Sequence, residues 1–199
     1  MVEDLFSIIL AYLCGSLLFA RLACIWLKKP DVTAAVGDHN PGTTNAFQQG
    51  GFWCGVITLC GDLLKGFLPV YLYVHGEYTA ALGLVIAAPV IGHIFPVFFG
   101  FHGGKGIATT FGCLLALPDF LPVGALALFF IFFSVGLQIS PHYYRTIFTY
   151  LCTEATILLC GHNASYSVAF TVICAAVLFR LLHSKEEKKH LEVRLLWKH

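Results

Sequence analysis

The sequence predicts an all-α integral membrane protein with seven transmembrane helices, the N-terminus outside and the C-terminus cytoplasmic. Three observations carry this. Of 199 residues, 58% are hydrophobic and 12% charged, against about 25% charged in a soluble domain; mean hydropathy is +0.79. Seven apolar segments lie at about 5–27, 52–74, 79–99, 105–118, 121–139, 146–161 and 165–183, most of them close to the ~20 residues a span needs. Lys28 and Lys29, Lys105, Arg145, and a cluster from Arg180 to Lys198 follow the first, third, fifth and seventh segments. The other connections carry no Lys or Arg, so the basic ones are cytoplasmic by the positive-inside rule. Six spans would break this alternation. The expected division is a membrane domain at 1–184 and a basic amphipathic cytoplasmic tail at 185–199, suited to an anionic leaflet.

Each segment has its own signals. Met1 to Asp4 holds two acids and no base, so the first segment is expected to stay in the protein rather than be cleaved as a signal. Lys28 to Gly51 is too polar for lipid and rich in turn residues, so a loop is expected there and not a surface helix. Its Thr43, Thr44, Asn45 and Gln48 supply neutral donors and acceptors, for a site or for a solvated linker. Asp62 and Lys65 form an i,i+3 pair inside the second segment. Such a pair points into a bundle, as a structural pin or as a ligand contact. His93, near the end of the third, is a proton carrier or a histidine tied to a backbone carbonyl. Pro118 and Pro122 separate the short fourth segment from the fifth. Glu154 in the sixth requires a partner, and Asn163-Ala164-Ser165 fits the glycosylation pattern.

The most pointed stretch is Gly103-Gly104-Lys105-Gly106, between two apolar segments. Glycines let backbone N–H groups approach a ligand, a following helix N-terminus adds partial positive charge, and Lys105 adds a full one. An anion at the membrane surface is the expected ligand; a tight turn whose lysine snorkels to headgroups is the plain alternative. A net charge of +1 gives no basic surface for nucleic acid. The eight cysteines form no CxxC pair and no metal spacing with histidine, which leaves them packing roles and predicts no metal.

Three cytoplasmic motifs occur in order: Gly37 with Asn40-Pro41-Gly42-Thr43-Thr44-Asn45, then Asp62-Leu63-Leu64-Lys65-Gly66, then Gly92-His93-Ile94-Phe95-Pro96-Val97-Phe98 running into Gly103-Gly104-Lys105-Gly106-Ile107-Ala108-Thr109. Together they resemble the acyl-phosphate-dependent glycerol-3-phosphate acyltransferases of the PlsY type, over roughly residues 10 to 115. The resemblance implies a monomeric enzyme of the bacterial cell membrane with its active site facing the cytoplasm and no cofactor. It would move a fatty acyl group from acyl phosphate to the sn-1 hydroxyl of glycerol 3-phosphate, making lysophosphatidic acid and phosphate for phospholipid synthesis. It implies catalytic roles for Asn40 and Lys105; Asp38 and His39, where the chain leaves the family pattern, are candidates for general-base work on a hydroxyl. Substrate contacts would come from Gly42, Thr43, Thr44, Asn45, Gln48, Gly103, Gly104, Lys105, Gly106, Thr109 and His183.

The chain departs from the family pattern at several places. Asp38-His39 replaces Ser-Gly, Gln48 and Thr33 stand near expected arginines, His102 replaces a lysine, and His183-Ser184-Lys185 only echoes His-Arg-x-Asn. These changes remove about three cations and add a carboxylate, and each lost charge-assisted contact is worth about 1.5–3 kcal/mol. A divergent branch with another acceptor, a non-catalytic lipid-binding subunit and a transporter are the other readings. The transporter reading expects matched intramembrane charges in two repeats, which the sequence does not show.

Overall fold

A computed structural model describes residues 2–33, 40–76, 81–160, 163–184 and 190–195. The first predicted segment becomes two helices, α1 (Val2–Gly15) and α2 (Phe19–Trp26), bent by 49°. The break has a local cause. Ser16 Oγ donates to the Tyr12 carbonyl at 2.9 Å, and the Leu17 carbonyl accepts from the Lys65 ammonium at 2.6 Å. Side chains inserted into the helical ladder take over its bonds, and the helix turns there.

The polar connection differs from the expectation. Residues Thr43–Gly50 form a helix, α3, instead of a loop. The turn residues sit at its ends, with Gly42 at the N-cap and Gly51 past the C-terminus. Its Ala46 is fully buried with Ala20, Cys24 and Cys54 in a small cluster joining α2, α3 and the next helix. Tertiary packing thus overrides a poor local helix signal.

α4 (Phe52–Val74) has 23 residues, about 35 Å of helix. Leu64, Leu68 and Leu72 are exposed, while Thr58, Asp62 and Lys65 are buried. A polar interior and an apolar exterior are what a bundle in lipid requires. α5 (Leu82–Ile94) is the central helix, buried along nearly its whole length between α1 and α9 (Ala164–Leu182). Asn163 Oδ1 accepts from the Ser165 N–H and caps α9. α6 (Ile107–Leu115) crosses α4 at close range. A Cβ at Gly112 would lie 2.1 Å from the Leu63 carbonyl oxygen, and one at Gly66 would lie 2.4 Å from that of Thr109.

α7 (Leu121–Ile131) continues as a π-helical turn to Gly136 and leads into β1 (Leu137–Ser140). β1 pairs antiparallel with β2 (Glu192–Leu195), Ser140 opposite Glu192. The all-α expectation is corrected by this two-stranded sheet, which four residues of the predicted tail complete with every side chain exposed. α8 (His142–Leu159) then packs between α7 and α9.

The chain is therefore mostly helical. Among the described residues three helices are long and apolar enough to cross a membrane, at Phe52–Val74, Leu82–Phe99 and Ala164–Leu182; the bent α1–α2 pair makes a fourth if it counts as one span.

The α4–α6 crossing yields a test. Gly112→Leu is expected to lower stability by about 1–3 kcal/mol or more through forced separation of the helices. Gly124→Leu, at a position where an added Cβ meets nothing within 4 Å, is the control. Thermal unfolding in detergent should separate the two; equal midpoints would contradict the close crossing.

Candidate active site

A cavity of about 260 Å³ opens where the polar elements meet. Asn40, Gly42, Thr43, Thr44 and Asn45 line one side, Asp62 and His93 come from α4 and α5, and Lys105, Gly106, Ile107, Ala108 and His142 complete it. Its size is small for a ligand pocket and suits a compact polar group. The first turns of α3, α6 and α8 all reach this space, and among the described residues none of the three has a side-chain cap. The leading N–H groups of an α-helix have no intrahelical acceptor. Three such ends around one cavity, with the Lys105 ammonium beside them, form a strongly anion-favouring site.

Gly106 sets the turn that aims α6. Its φ is +81°, in the left-handed region, and a Cβ there would also lie 2.9 Å from Val90. The Gly106 carbonyl accepts from Thr110 Oγ1 at 2.9 Å, and Thr110 Oγ1 in turn accepts from the buried Tyr150 hydroxyl at 3.0 Å. α8 thereby holds the first turn of α6 in place.

Gly103 and Gly104 act differently from the expected cradle. Their N–H groups donate to the Ile94 and His93 carbonyls at the end of α5, at 3.2 and 3.1 Å. A Cβ on Gly103 would stand 1.9 Å from the His93 carbonyl oxygen, and one on Gly104 would stand 2.2 Å from His93 Nε2. Arg180 Nη2 donates to the Gly103 carbonyl at 2.8 Å. These two glycines lock the loop onto α5, and their N–H groups are engaged there, whereas Gly106 and the first turn of α6 line the cavity.

Beneath the cavity lies a buried polar cluster. The Lys65 ammonium reaches Asp62 Oδ1 at 2.8 Å, the Leu17 carbonyl at 2.6 Å and His93 Nδ1 at 2.7 Å. All three side chains are at most 5% exposed. An ammonium only donates, so His93 Nδ1 accepts and its proton sits on Nε2. Lys65 is thus the structural pin of the two readings, and Asp62 both balances it and lines the cavity.

Other predicted residues fall elsewhere. Asp38 and His39 lie outside the described residues. Asn45, by contrast, does line the cavity; it is buried, and its Nδ2 donates to the Asn40 carbonyl at 2.8 Å, bracing the loop. Gln48 is exposed on α3 away from the cavity lining, and His183 is exposed with Nδ1 directed to the Phe179 carbonyl. Thr109 is fully buried under α4 and does not line the cavity. His102 is exposed and turned back to the Gly100 carbonyl at 2.5 Å. Arg21 sits 3.8 Å from Asp31 and over the Phe99 ring rather than at the site. Glu154 accepts from Thr171 of α9.

Sequence reasoning missed His142. A proline just ahead of a helical segment was the available signal, but only the fold carries that helix start to Lys105. Burial first, then Lys105 and Arg145, push the His142 ring from its ordinary 6.5 down to about 4.

Two outcomes follow from these groups. Lys65→Met leaves Asp62 buried without its cation and should cost about 3–5 kcal/mol, while Asp62→Asn combined with Lys65→Met should recover part of it; thermal unfolding checks this, and full stability of Lys65→Met would contradict it. For His142, the unfolded chain takes up a proton between the ordinary value and about 4 that the folded chain refuses. Its contribution to stability is therefore complete at neutral pH and lost as pH falls through that window. His142→Gln should flatten the acid-side fall in unfolding midpoint, and an unchanged slope would count against it.

The sequence matches the family described as glycerol-3-phosphate acyltransferase over residues 5–192. Relatives of that name include one from Shewanella oneidensis, 44% identical over 124 residues, 62% of this chain and 61% of that protein. Another, from Shewanella baltica, is 42% identical over 128 residues, 64% of this chain and 63% of its own. The match thus spans about three fifths of the length of these relatives. Crystal structures of PlsY, an integral membrane glycerol 3-phosphate acyltransferase, are similar in fold. The lysophosphatidic acid form has a TM-score of 0.72 at 29% identity, covering 89% of this chain and 87% of that one. The glycerol 3-phosphate form has a TM-score of 0.73 at 30% identity, covering 89% and 88%. With the profile spanning nearly the whole sequence and the fold shared, this chain belongs to the glycerol-3-phosphate acyltransferase family.

Proposed function

We propose that this chain is an acyltransferase that moves a fatty acyl group from acyl phosphate to the sn-1 hydroxyl of glycerol 3-phosphate. The products are lysophosphatidic acid, for phospholipid synthesis, and inorganic phosphate. The observation that carries this reading is the convergence of three uncapped helix N-termini and Lys105 on one small cavity. Acyl phosphate is a mixed anhydride and already activated. The protein must chiefly bring two anions together, screen their repulsion and stabilise the departing phosphate. Lys105 and the N–H groups of Gly106 to Ala108 suit the leaving phosphate. Asn40, Gly42, Thr43 and Thr44 suit the acceptor's head group, while the acyl chain lies along the apolar helix faces.

The same proposal places the chain as a monomer in the cell membrane. Seven segments would enter the bilayer with the N-terminus outside and the cavity toward the cytoplasm, as the charge alternation requires. Residues 1–184 would form the acyltransferase domain and 185–199 its cytoplasmic tail.

One observation favours a second reading, in which the acceptor is less anionic. Among the described residues Lys105 is the only Lys or Arg lining the cavity, and Gln48 and His102 stand where the family pattern has cations. One assay separates the readings. Purified protein with acyl phosphate is expected to release phosphate only when glycerol 3-phosphate is present, and Lys105→Ala should lower kcat/KM about 10- to 100-fold, as expected for loss of one charge-assisted contact. Turnover with a neutral acceptor and none with glycerol 3-phosphate selects the second reading. Acceptor-independent hydrolysis, or no turnover with any acceptor, contradicts both.

A further inference from the structure

We propose that Cys24 and Cys54 are a peroxide-sensitive pair, whose oxidation to a disulfide locks α2 to α4 and displaces α3 from its seat at the cavity. Of the eight cysteines, these are the two whose sulfurs the fold brings together among the described residues. Cys24 Sγ and Cys54 Sγ lie 3.6 Å apart, although 30 positions separate them in the chain. Both are free thiols and both are buried. They belong to the small cluster that joins α2, α3 and α4, whose other buried members are Ala20, Ala23, Val32 and Ala46. A cysteine in such a place serves as a small hydrophobe. Alanine and valine meet that need at the cluster's other positions, and packing alone does not call for two thiols in contact.

The contact lies where a new bond would be felt. Cys54 is in the first turn of α4, and Gly50, the last residue of α3, is pressed against it. A Cβ on Gly50 would stand 2.5 Å from Cys54 Sγ. A disulfide brings its sulfurs to about 2.05 Å, so closing the present gap takes roughly 1.5 Å of movement. α2 has eight residues and is set off from α1 by the bend, whereas α4 has 23. The short helix therefore moves, carrying Ala20 and Ala23 with it, and Ala46 and Gly50 lose the surface to which they are fitted. A close-packed interior passes such a displacement on. The far end of α3 holds Thr43, Thr44 and Asn45 at the cavity, only two turns away.

The oxidant this requires is a small hydroperoxide, hydrogen peroxide being the simplest. One sulfur attacks a peroxide oxygen: the sulfur–oxygen bond forms, the oxygen–oxygen bond breaks, and water departs with the thiol proton, leaving a sulfenic acid. The second sulfur then attacks the first. The sulfur–sulfur bond forms, the sulfur–oxygen bond breaks, and a second water carries off the remaining thiol proton. The two sulfurs give up two electrons in all, and the peroxide takes them. Burial slows the first step and excludes bulky oxidants. Contact between the sulfurs favours the second step over further oxidation of the sulfenic acid. Cys60 and Cys160 are exposed and have no thiol neighbour among the described residues, so they have no such exit. A reducing thiol restores the pair by exchange.

The test treats the full chain in lipid nanodiscs with hydrogen peroxide and reads non-reducing peptide mass maps, hydrogen exchange over residues 43–50, and kcat/KM for glycerol 3-phosphate with acyl phosphate. The expected result is a linked Cys24–Cys54 peptide, faster exchange over 43–50 and a fall in kcat/KM of about 10- to 100-fold. Dithiothreitol should restore all three. Cys24→Ala and Cys54→Ala should keep wild-type turnover and lose the reversible response. If neither variant folds, the wild-type mass map and exchange carry the test. No linked peptide at doses that oxidise Cys60 and Cys160 overturns the pairing. A linked peptide with unchanged exchange, or with unchanged kcat/KM in a wild type that turns over, overturns the switch. A wild type without turnover overturns the acyltransferase reading instead, and linkage and exchange then decide the switch.

Discussion

The structure depends on one buried ammonium. Lys65 is held by a carboxylate from its own helix, an imidazole from α5 and a backbone carbonyl at the break between α1 and α2. In a lipid-facing bundle an uncompensated charge at this depth costs several kcal/mol, so the three partners must arrive together. Meeting that demand fixes where the first segment bends, how α4 and α5 face each other, and where Asp62 stands under the cavity. His93, oriented by Lys65, has its carbonyl bonded to Gly104 and its ring packed against that residue. The glycine loop thus inherits its place from the same cluster, and with it the aim of Lys105 and α6.

Above this cluster the site is assembled from helix beginnings. α3, α6 and α8 start at the cavity and end away from it, so their dipoles add in the space that a phosphate would fill. This explains a feature that side chains alone do not. The family pattern's cations are missing at Gln48 and His102, yet backbone N–H groups still present a positive surface. Supports lie one layer back, in Tyr150 and Thr110 behind Gly106 and in Arg180 behind Gly103.

Much of this was legible in the sequence, and the exceptions have physical causes. Apolar segments, the Asp62–Lys65 pair and the Gly103–Gly106 stretch follow from local spacing, which sequence states directly. The sequence hid the bend after Gly15, because its cause is a lysine 48 positions away. It hid α3, whose helix rests on burial of Ala46 against α4 and not on propensity. It did not show the packing at Gly103 and Gly104, since absence of a Cβ serves close packing as well as ligand approach, and only the fold shows His93 filling that space. His142 carried no motif at all. Its place beside Lys105 arises from β1 and the start of α8, elements whose apolar pattern says nothing about the cavity they close.

The central claim is that the helix ends and Lys105 together make a phosphate-binding site, and equilibrium binding tests it most directly. Glycerol 3-phosphate and glycerol would each be titrated into the full chain in lipid nanodiscs, with and without Lys105→Ala. The account predicts saturable binding of glycerol 3-phosphate, weakened by the substitution and by added inorganic phosphate, and no comparable binding of glycerol. Equal affinity for the two ligands, or affinity for glycerol 3-phosphate unmoved by Lys105→Ala and by phosphate, would contradict it.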